Sequence, residues 1–446
     1  MPKTNLGIGR RAVVLALGLA ACGFTVARAA DDLKPGMTLD KSTAASAKGL
    51  LPPEILAHYE KGEYVNQIVD WPETKFNWPE DFVAGGKKNE GKFAIAKEGH
   101  VVEKESGQQP PWIFGFPFPN VDPQEPDAAQ KIVWNYFYRT WYFGNLMAES
   151  QINMINPTAL ERRLDAVVDF KYFDGVPEAE RPVNKGNFLV KFLNLVVYPA
   201  DVNGTANVTW RYRDPGKRDS SWAYVPALRR VRAVSPANRS DGFLGSDTSQ
   251  DDGPFFDGKV EDFTWKFVGT VDQLRIVDPI NLEGKSQSVW QKGGGWDTAW
   301  PDLPFIGYMK QGWKGVAWAP VAPALAKRRF YVIEAVPKDH YYLYGKLQMY
   351  IDAITFQGAW DRKFDWKGDL LNVHQVLGYN PQKVTRPDGK PDYVQGSNMA
   401  YQTNEAIKLN RATVAGIKTT PNSRFLQRGP IDDAVFDLDS LAQRGK

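Results

Sequence analysis

The sequence predicts a mainly antiparallel β protein with a few helices (α+β), built as a curved open half-barrel that encloses an aromatic helix and an apolar cavity. Three observations predict this class. From residue 187 onward, short runs rich in β-branched and aromatic residues follow one another between turn signals. Seven of the ten residues 134–143 are aromatic, and 39 Gly and 31 Pro indicate frequent reversals. A twisted sheet of about ten strands must curl, split or close.

The first 29 residues have the pattern of an export signal. A basic start precedes an apolar run that is too short to span a membrane. Two processing sites are open: cleavage after Ala29, or a lipobox that would place acyl chains on Cys22, the only cysteine of the chain. The pair Arg10-Arg11 also resembles a twin-arginine signal. We expect an exported, periplasmic protein, with an outer-membrane anchor if Cys22 is acylated.

Removal of this signal changes the charge balance. The full chain has a formal net charge of +3, and residues 1–29 hold four cations and no acids, so 3 − 4 leaves −1. A near-neutral mature chain has no electrostatic footprint for nucleic acid or for an anionic membrane surface. No later stretch approaches about 18 consecutive apolar residues, so no membrane-spanning helix is predicted.

Residues 30–120 are predicted to form a Trp/Pro-rich segment that covers the core. A short helix is expected to begin near Pro53 and to end in the stretch 59–64. Three aromatic–proline stretches follow, and proline pushes the residue before it into extended or turn backbone. Segments of this kind lie over a core rather than within a sheet.

The aromatic stretch is predicted to lie on a helix that Asp127 caps, with Gln130 completing a capping box, and that runs to about Ser150. Its rings cover most of the helix circumference, so the helix is buried or faces a second apolar compartment. Two interpretations are open: the rings only pack on the sheet, or some of them line a cavity for a lipid-like guest. The residues predicted to line that cavity are Trp134, Phe137, Tyr138, Trp141, Tyr142, Trp222 and Tyr224.

The half-barrel itself is predicted to span residues 121–415, with residues 416–446 as a C-terminal extension. Its later part contains a series of strand-like runs. They are Phe188–Tyr198, Asn207–Tyr212, Ser220–Tyr224, Arg230–Val234, Asp262–Val268, Arg329–Val336, Tyr341–Ile351 and Ile354–Trp366. Short turns separate them, which predicts an antiparallel meander.

The sequence lacks the motifs of enzymes. Its four histidines have no metal-ligand spacing, and neither a phosphate loop nor a Gly-x-Ser-x-Gly elbow appears. We predict a protein that is not an enzyme and that uses no cofactor and no metal. The acidic run between Asp247 and Asp262 lacks the spacing of a calcium loop and is expected to be solvated.

Several motifs resemble one family of exported Gram-negative proteins. They are Trp222-Ala-Tyr-Val-Pro-Ala-Leu-Arg-Arg-Val-Arg-Ala, Arg239-Ser-Asp-Gly, Gly245-Ser-Asp-Thr-Ser-Gln-Asp-Asp, Arg328-Arg-Phe-Tyr-Val-Ile-Glu-Ala and Tyr350-Ile-Asp-Ala-Ile-Thr-Phe. With them the chain resembles family 1329 of the domains of unknown function, over roughly residues 55–415. That family is similar to the periplasmic carrier of the outer-membrane lipoprotein-sorting pathway.

The resemblance implies an open β-barrel with helices in its mouth and an apolar interior. Family members often accompany transporters of the resistance-nodulation-division type and an outer-membrane protein, which implies a periplasmic shuttle for a hydrophobic, lipid-like cargo. The alternative is a structural or protein-interaction component attached to the outer membrane. This chain departs from the smaller carriers by its long opening segment and its C-terminal extension, which leaves the cargo open.

The arginine-rich hairpin is predicted to be structural or to dock a partner, and not to be catalytic. Arg230 and Arg232 share one face of their strand, while Val231 and Ala233 take the other. Their nearest acidic neighbours in the sequence are Asp247, Asp251 and Asp252. The residues predicted to have this role are Arg229, Arg230, Arg232, Asp247 and Asp251.

Overall fold

The computed structural model describes residues 33–71, 78–277, 287–299, 304–378, 381–394, 399–417 and 424–444. The helices in these ranges are α1 (Pro53–Lys61), α2 (Glu80–Asn89), α3 (Ala128–Trp141) and α4 (Leu438–Arg444). The strands are β1 (Thr38–Leu39), β2 (Asn66–Gln67), β3 (Phe93–Ile95), β4 (Val101–Glu103), β5 (Leu146–Ile155), β6 (Leu160–Tyr172), β7 (Phe188–Tyr198), β8 (Ala206–Tyr212), β9 (Ser220–Val225), β10 (Arg230–Val234), β11 (Phe263–Val277), β12 (Gln287–Trp290), β13 (Trp296–Ala299), β14 (Ala324–Pro337), β15 (Lys346–Asp352), β16 (Gly358–Phe364), β17 (Leu370–Gly378), β18 (Gln382–Thr385), β19 (Pro391–Val394), β20 (Met399–Ala406), β21 (Arg411–Ile417) and β22 (Phe425–Gln427). The predicted export signal and Cys22 lie outside the described residues.

Most strands join into one large sheet. Among the described residues it has 16 strands, and its main path runs β10-β9-β8-β7-β6-β5-β21-β20-β17-β16-β15-β14-β11. Neighbouring strands on this path are antiparallel, and β22, β13 and β12 branch from β5. The path ends at β10 and β11 without pairing them, so the sheet is curved and open. The predicted fold class is confirmed. None of the described helices is long and apolar enough to cross a membrane.

Helix α3 is shorter than predicted. It ends at Trp141 instead of near Ser150, and Gly144, in the left-handed region at a φ of 72°, turns the chain toward β5. Strand β5 then pairs with β6 and β21. Its side chains alternate between the two faces of the sheet, as those of a strand do. The predicted capping box is also wrong. Asp127 makes no side-chain cap, and its carboxylate lies 3.0 Å from the Nζ of Lys131.

Each of the eight later strand predictions contains a strand, but lengths differ, and β12, β13 and β17 to β22 were not predicted. Strands β7 to β10 match their predicted runs closely, and β11 and β14 are longer than predicted because they pair along almost their whole length. Residues 341–345, 354–357 and 365–366, predicted as strand, form loops instead.

Apolar side chains cover both faces of the central strands. Strand β14 directs Phe330 and Val332 into a core shared with α1 and with residues 38–68. The same strand directs Ile333 and Ala335 to the opposite face, into a core built around α3. Alternating side chains of one strand thus contact two different layers.

The C-terminal segment joins the sheet at two places. Strand β22 pairs with β5 and β13. Helix α4 and the turn before it bury Phe436 and Leu441 against Tyr224 and its neighbours on β8 and β9. The described part of residues 416–446 therefore covers the sheet. The predicted domain boundaries stay predictions.

A buried histidine holds the covering segment to the sheet. The Nδ1 of His58 on α1 lies 2.7 Å from a carboxylate oxygen of Glu63, and its Nε2 lies 2.9 Å from Glu405 on β20. The ring stacks on Tyr64 with 4.4 Å between centroids. Burial lowers the pKa of His58, but the hydrogen bonds and charges of Glu405 and Glu63 outweigh burial and raise the pKa above its ordinary value of 6.5.

We expect this histidine to make stability depend on pH. Because its pKa is higher in the folded than in the unfolded chain, its contribution is fully present below about pH 6.5 and is lost as the pH rises through the folded pKa. Urea unfolding of the wild type and of His58→Gln at about pH 6 and about pH 9 measures this. The variant should lose less stability than the wild type between the two pH values. Equal losses would contradict the expectation.

Candidate functional site

An apolar cavity of about 370 Å³ lies between one half of the sheet and residues 235–257, which we name the roof segment. Its volume falls within the range of about 300–1,000 Å³ that is usual for small-molecule sites. The apolar residues that line it are Leu146, Ala148, Ile152, Val168, Phe170, Tyr172, Phe192, Ala206, Ala223, Val225, Val234, Phe243, Leu244, Pro254, Ala415 and Phe425.

Strand register explains why the floor of the cavity is apolar. Leu146 pairs opposite Phe170 and Ala148 opposite Val168, so alternate residues of β5 and β6 share one face. Phe170 also pairs opposite Phe192 on β7, with 4.6 Å between the ring centroids. The polar groups of the lining are mostly amides and hydroxyls, among them Ser150, Asn194, Asn207 and Gln402. This surface suits an apolar chain and offers few groups for proton transfer.

The roof segment closes over this floor as a compact loop. It places Phe243 and Leu244 on the cavity, and Leu244 adopts a positive φ of 49°. The Phe243 amide donates to the Thr248 carbonyl at 2.9 Å, which folds the loop back on itself. Gln250 reaches from the roof to β8, where its Nε2 donates to Thr209 Oγ1 at 2.6 Å.

Three acids of the roof segment hold it in place. Asp247 and Asp252 pair with distant strands, and Asp251 contacts both Tyr342 and an arginine of the segment itself. Asp247 accepts from Arg411 on β21 at 2.8 Å. Asp251 accepts from the Nε of Arg239 at 2.6 Å and from the hydroxyl of Tyr342 at 2.8 Å. Asp252, which is buried, pairs with Lys363 on β16. These acids were expected to pair with the arginine hairpin in a solvated loop. That expectation is wrong, because Arg411 and Lys363 on distant strands, and Arg239 within the roof segment, pair with these acids instead.

A buried ion-pair cluster continues from Arg239. Its Nη2 donates to Asp257 at 2.8 Å, and Arg211 on β8 contacts Asp257 at 3.1 Å and Asp219 at 2.8 Å. Burial raises the pKa of Asp219, but the charges of Arg211 and Arg239 outweigh burial, so this pKa lies below its ordinary value. The cluster therefore fixes both ends of the roof segment in a charged, dehydrated interior.

The aromatic rings of α3 lie in a closely packed core beside the cavity. The amide of Phe256, at the end of the roof segment, donates to the Tyr136 hydroxyl at 3.3 Å, and the Phe137 and Phe256 rings are 6.2 Å apart. The Tyr138 hydroxyl donates to Asp174 at 3.0 Å. In the structure, α3 therefore supports the roof segment from within. The five predicted rings Trp134, Phe137, Tyr138, Trp141 and Tyr142 are buried and are not among the residues that line the cavity.

The other two predicted lining residues also lie elsewhere. Trp222 and Tyr224 alternate with Ala223 and Val225 along β9, so they face the opposite side of the sheet. There they pack with the C-terminal segment, and Trp222 contacts Trp210 with 4.8 Å between ring centroids. Direct contact of any of the seven rings with a ligand stays a prediction, without support from this cavity.

The arginines of the hairpin are exposed. Arg229 occupies the turn with a φ of 48°, and Arg230 and Arg232 lie on β10, at the edge of the sheet. None of the three forms an ion pair with another described residue, in contrast to the buried Arg239. The structural or docking role predicted for this hairpin stays a prediction.

The residues that line the cavity were missed because of one competing signal. Leu146, Ala148 and Ile152 alternate with period two, which is typical of a half-buried strand. They directly follow the aromatic stretch, and the helix predicted there was extended across them. Within the described ranges, no group of three or more His, Cys, Asp or Glu is placed to hold a metal ion.

The chain is similar to several proteins of known structure. It is similar in fold to a putative outer membrane lipoprotein-sorting protein domain from Vibrio parahaemolyticus, at 16% identity over 70% of this chain and 97% of that one, with a TM-score of 0.43. It is also similar to a DUF1329 family protein from Desulfovibrio piger, at 17% identity over 69% of this chain and 97% of that one, with a TM-score of 0.42. A LolA superfamily protein from Nitrosomonas europaea is 11% identical over 70% of this chain and 98% of its own, with a TM-score of 0.38. No curated protein sequence matches the chain.

The family model described as protein of unknown function, DUF1329, matches residues 38–300, more than half of the 446 residues. The match contains the arginine hairpin, the roof segment and strands β5 to β10 of the cavity floor. The last two motifs of the sequence resemblance, which begin at Arg328 and Tyr350, lie beyond it. The chain belongs to the DUF1329 family.

Proposed function

We propose that the protein is a carrier that binds the apolar chain of a lipid-like ligand in the cavity beneath the roof segment, without catalysing a reaction on it. One observation supports this most strongly. Side chains from β5 to β10 and from the roof segment present a mainly apolar lining around about 370 Å³. Sites for small apolar ligands are concave, mostly apolar and marked by few polar groups.

The energetics of burial are sufficient for such a role. Burying a fourteen-carbon chain contributes on the order of 10 kcal/mol before association costs, at about 0.8 kcal/mol per methylene. Affinity then comes from apolar area, and a charged or catalytic motif is unnecessary. A lining that consists of strands and a clamped loop is also largely pre-formed, which reduces the entropy lost on binding.

We further propose that the carrier works in the periplasm, with a transporter of the resistance-nodulation-division type and an outer-membrane protein as partners. The export-signal pattern of residues 1–29 and the family resemblance support this part. The alternative is an outer-membrane-attached structural component that binds other proteins. The two proposals differ in a measurable way, because the structural component has no need of a ligand in the cavity.

An uncharged fluorescent probe tests the binding proposal. N-phenyl-1-naphthylamine, which fluoresces more strongly in apolar surroundings, should bind the purified mature protein saturably. Myristate and 1-tetradecanol should each displace it, because both carry a fourteen-carbon chain. Absence of saturable probe binding, or binding that neither compound displaces, would exclude a cavity that holds acyl chains.

A further inference from the structure

We infer that the ligand is an anionic amphiphile, whose carboxylate or phosphate head lies on Arg230 and Arg232 at the sheet edge while its chain fills the cavity. This inference rests on the proposed function and adds the class of head group. It assigns a role to two arginines that form no ion pair within the described part of the chain.

Strand register places these arginines on the side of the sheet that carries the cavity. Arg232 pairs directly opposite Ala223, and Arg230 opposite Val225. Side chains that pair directly across an antiparallel sheet share a face, with Cβ atoms roughly 5 Å apart. Ala223 and Val225 both line the cavity, and so does Val234, two residues beyond Arg232 on the same face. Both arginines are therefore immediate neighbours of cavity-lining residues.

The position of β10 lets these side chains reach a ligand head in solvent. The strand is the last one of the sheet path, and Arg230 and Arg232 are exposed. An arginine stem can lie along apolar surface while its guanidinium stays in water. A head group held there would remain hydrated at the edge, and its chain would run inward beneath the roof segment.

The charges nearby favour an anion. Other acids of this region are already paired: Asp247 with Arg411, and Asp251 with Arg239. The cavity lining includes one acid, Asp241, whose carboxylate accepts from Asn238 Nδ2 at 2.8 Å. Two arginines without ion-pair partners among the described residues outnumber this single carboxylate. Guanidinium groups bind carboxylate and phosphate in a bidentate manner, which gives the head a defined position.

The test compares ligands that share one chain and differ in the head. Displacement of N-phenyl-1-naphthylamine should show that myristate and monotetradecyl phosphate bind about tenfold tighter than 1-tetradecanol, the gain expected from a partly exposed charge-assisted hydrogen bond. Tetradecyltrimethylammonium should bind more weakly than the alcohol. Added salt should weaken binding of the acids and leave the alcohol unchanged. The stronger of the two acids identifies the head as carboxylate or phosphate.

The double variant Arg230→Gln/Arg232→Gln isolates the two arginines. It should bind myristate about tenfold more weakly and bind the uncharged probe and the alcohol as the wild type does. Arg329→Gln, an exposed arginine on β14 far from the cavity lining, is the matched control and should change nothing. Equal affinity of acid, alcohol and ammonium compound, or a double variant with wild-type affinity for myristate, overturns the inference and leaves the carrier in place. Failure of the probe and the alcohol to bind overturns the proposed function and the inference with it.

Discussion

Replacing Arg239 with leucine is expected to lower the free energy of unfolding by about 3–5 kcal/mol, the usual cost of removing one partner from a buried ion pair. Arg239 is buried between Asp251 and Asp257, with Asp219 close by. Leucine would leave these carboxylates in the interior with one cation fewer. The ion pair that joins the two ends of the roof segment, between Arg239 and Asp251, would be lost at the same time.

Urea unfolding of the purified variant measures this loss. Arg329→Leu is the control, since Arg329 pairs with Asp272 at 2.9 Å but is two-thirds exposed. Ion pairs of this kind contribute little, because water screens them and long side chains lose freedom when they pair. We expect a large loss for the Arg239 variant and no measurable loss for the Arg329 variant. Similar small losses at both positions would show that the cluster is not essential to the fold.

Partly filling the cavity is expected to weaken ligand binding strongly while the protein stays folded. Ala148 on β5 lies on the cavity floor opposite Val168, and a phenyl ring at this position would project into the space of the ligand chain. Excluding about four methylenes from the cavity would cost roughly 3 kcal/mol, which is on the order of a hundredfold in affinity. Because the ring enters empty volume, the strain that usually accompanies overpacking should be small.

Probe displacement by myristate and urea unfolding, measured on Ala148→Phe, test both halves of this expectation. Val268→Phe is the matched control, because Val268 is an exposed residue of β11 at the opposite edge of the sheet. It adds a ring of the same size away from the cavity and should bind as the wild type does. If Ala148→Phe binds myristate with wild-type affinity, the acyl chain of the ligand binds outside this cavity.

The fold class could be predicted because its signals are local. Alternating β-branched and aromatic runs, such as the one at Phe188–Tyr198, form strands wherever they pair. The covering helix from Pro53 was predictable for a similar reason, since proline suits the first turn of a helix. Strand order was not encoded in this way. Strand β21 pairs with β5, which brings Ala415 beside Ile152 across more than half of the chain.

The candidate site depends on this long-range order. Asp252 meets Lys363, and Asp247 meets Arg411, only because β16 and β21 pass close to the roof segment. Which side of β9 faces the cavity is likewise set by its partners: a shift of one residue would exchange Trp222 and Tyr224 with Ala223 and Val225. Aromatic content therefore identified the buried helix correctly, but it could not locate the cavity.

The most direct test of a carrier that uses this cavity is to identify the lipid that stays bound to the protein when it is purified from cells. Wild type, Ala148→Phe and Val268→Phe would be purified from the periplasm of a Gram-negative host without detergent, and their solvent extracts analysed by mass spectrometry. We expect a near-stoichiometric acyl amphiphile in the wild type and in Val268→Phe, and little of it in Ala148→Phe. Equal traces of lipid in all three proteins would contradict a carrier that holds its ligand in this cavity.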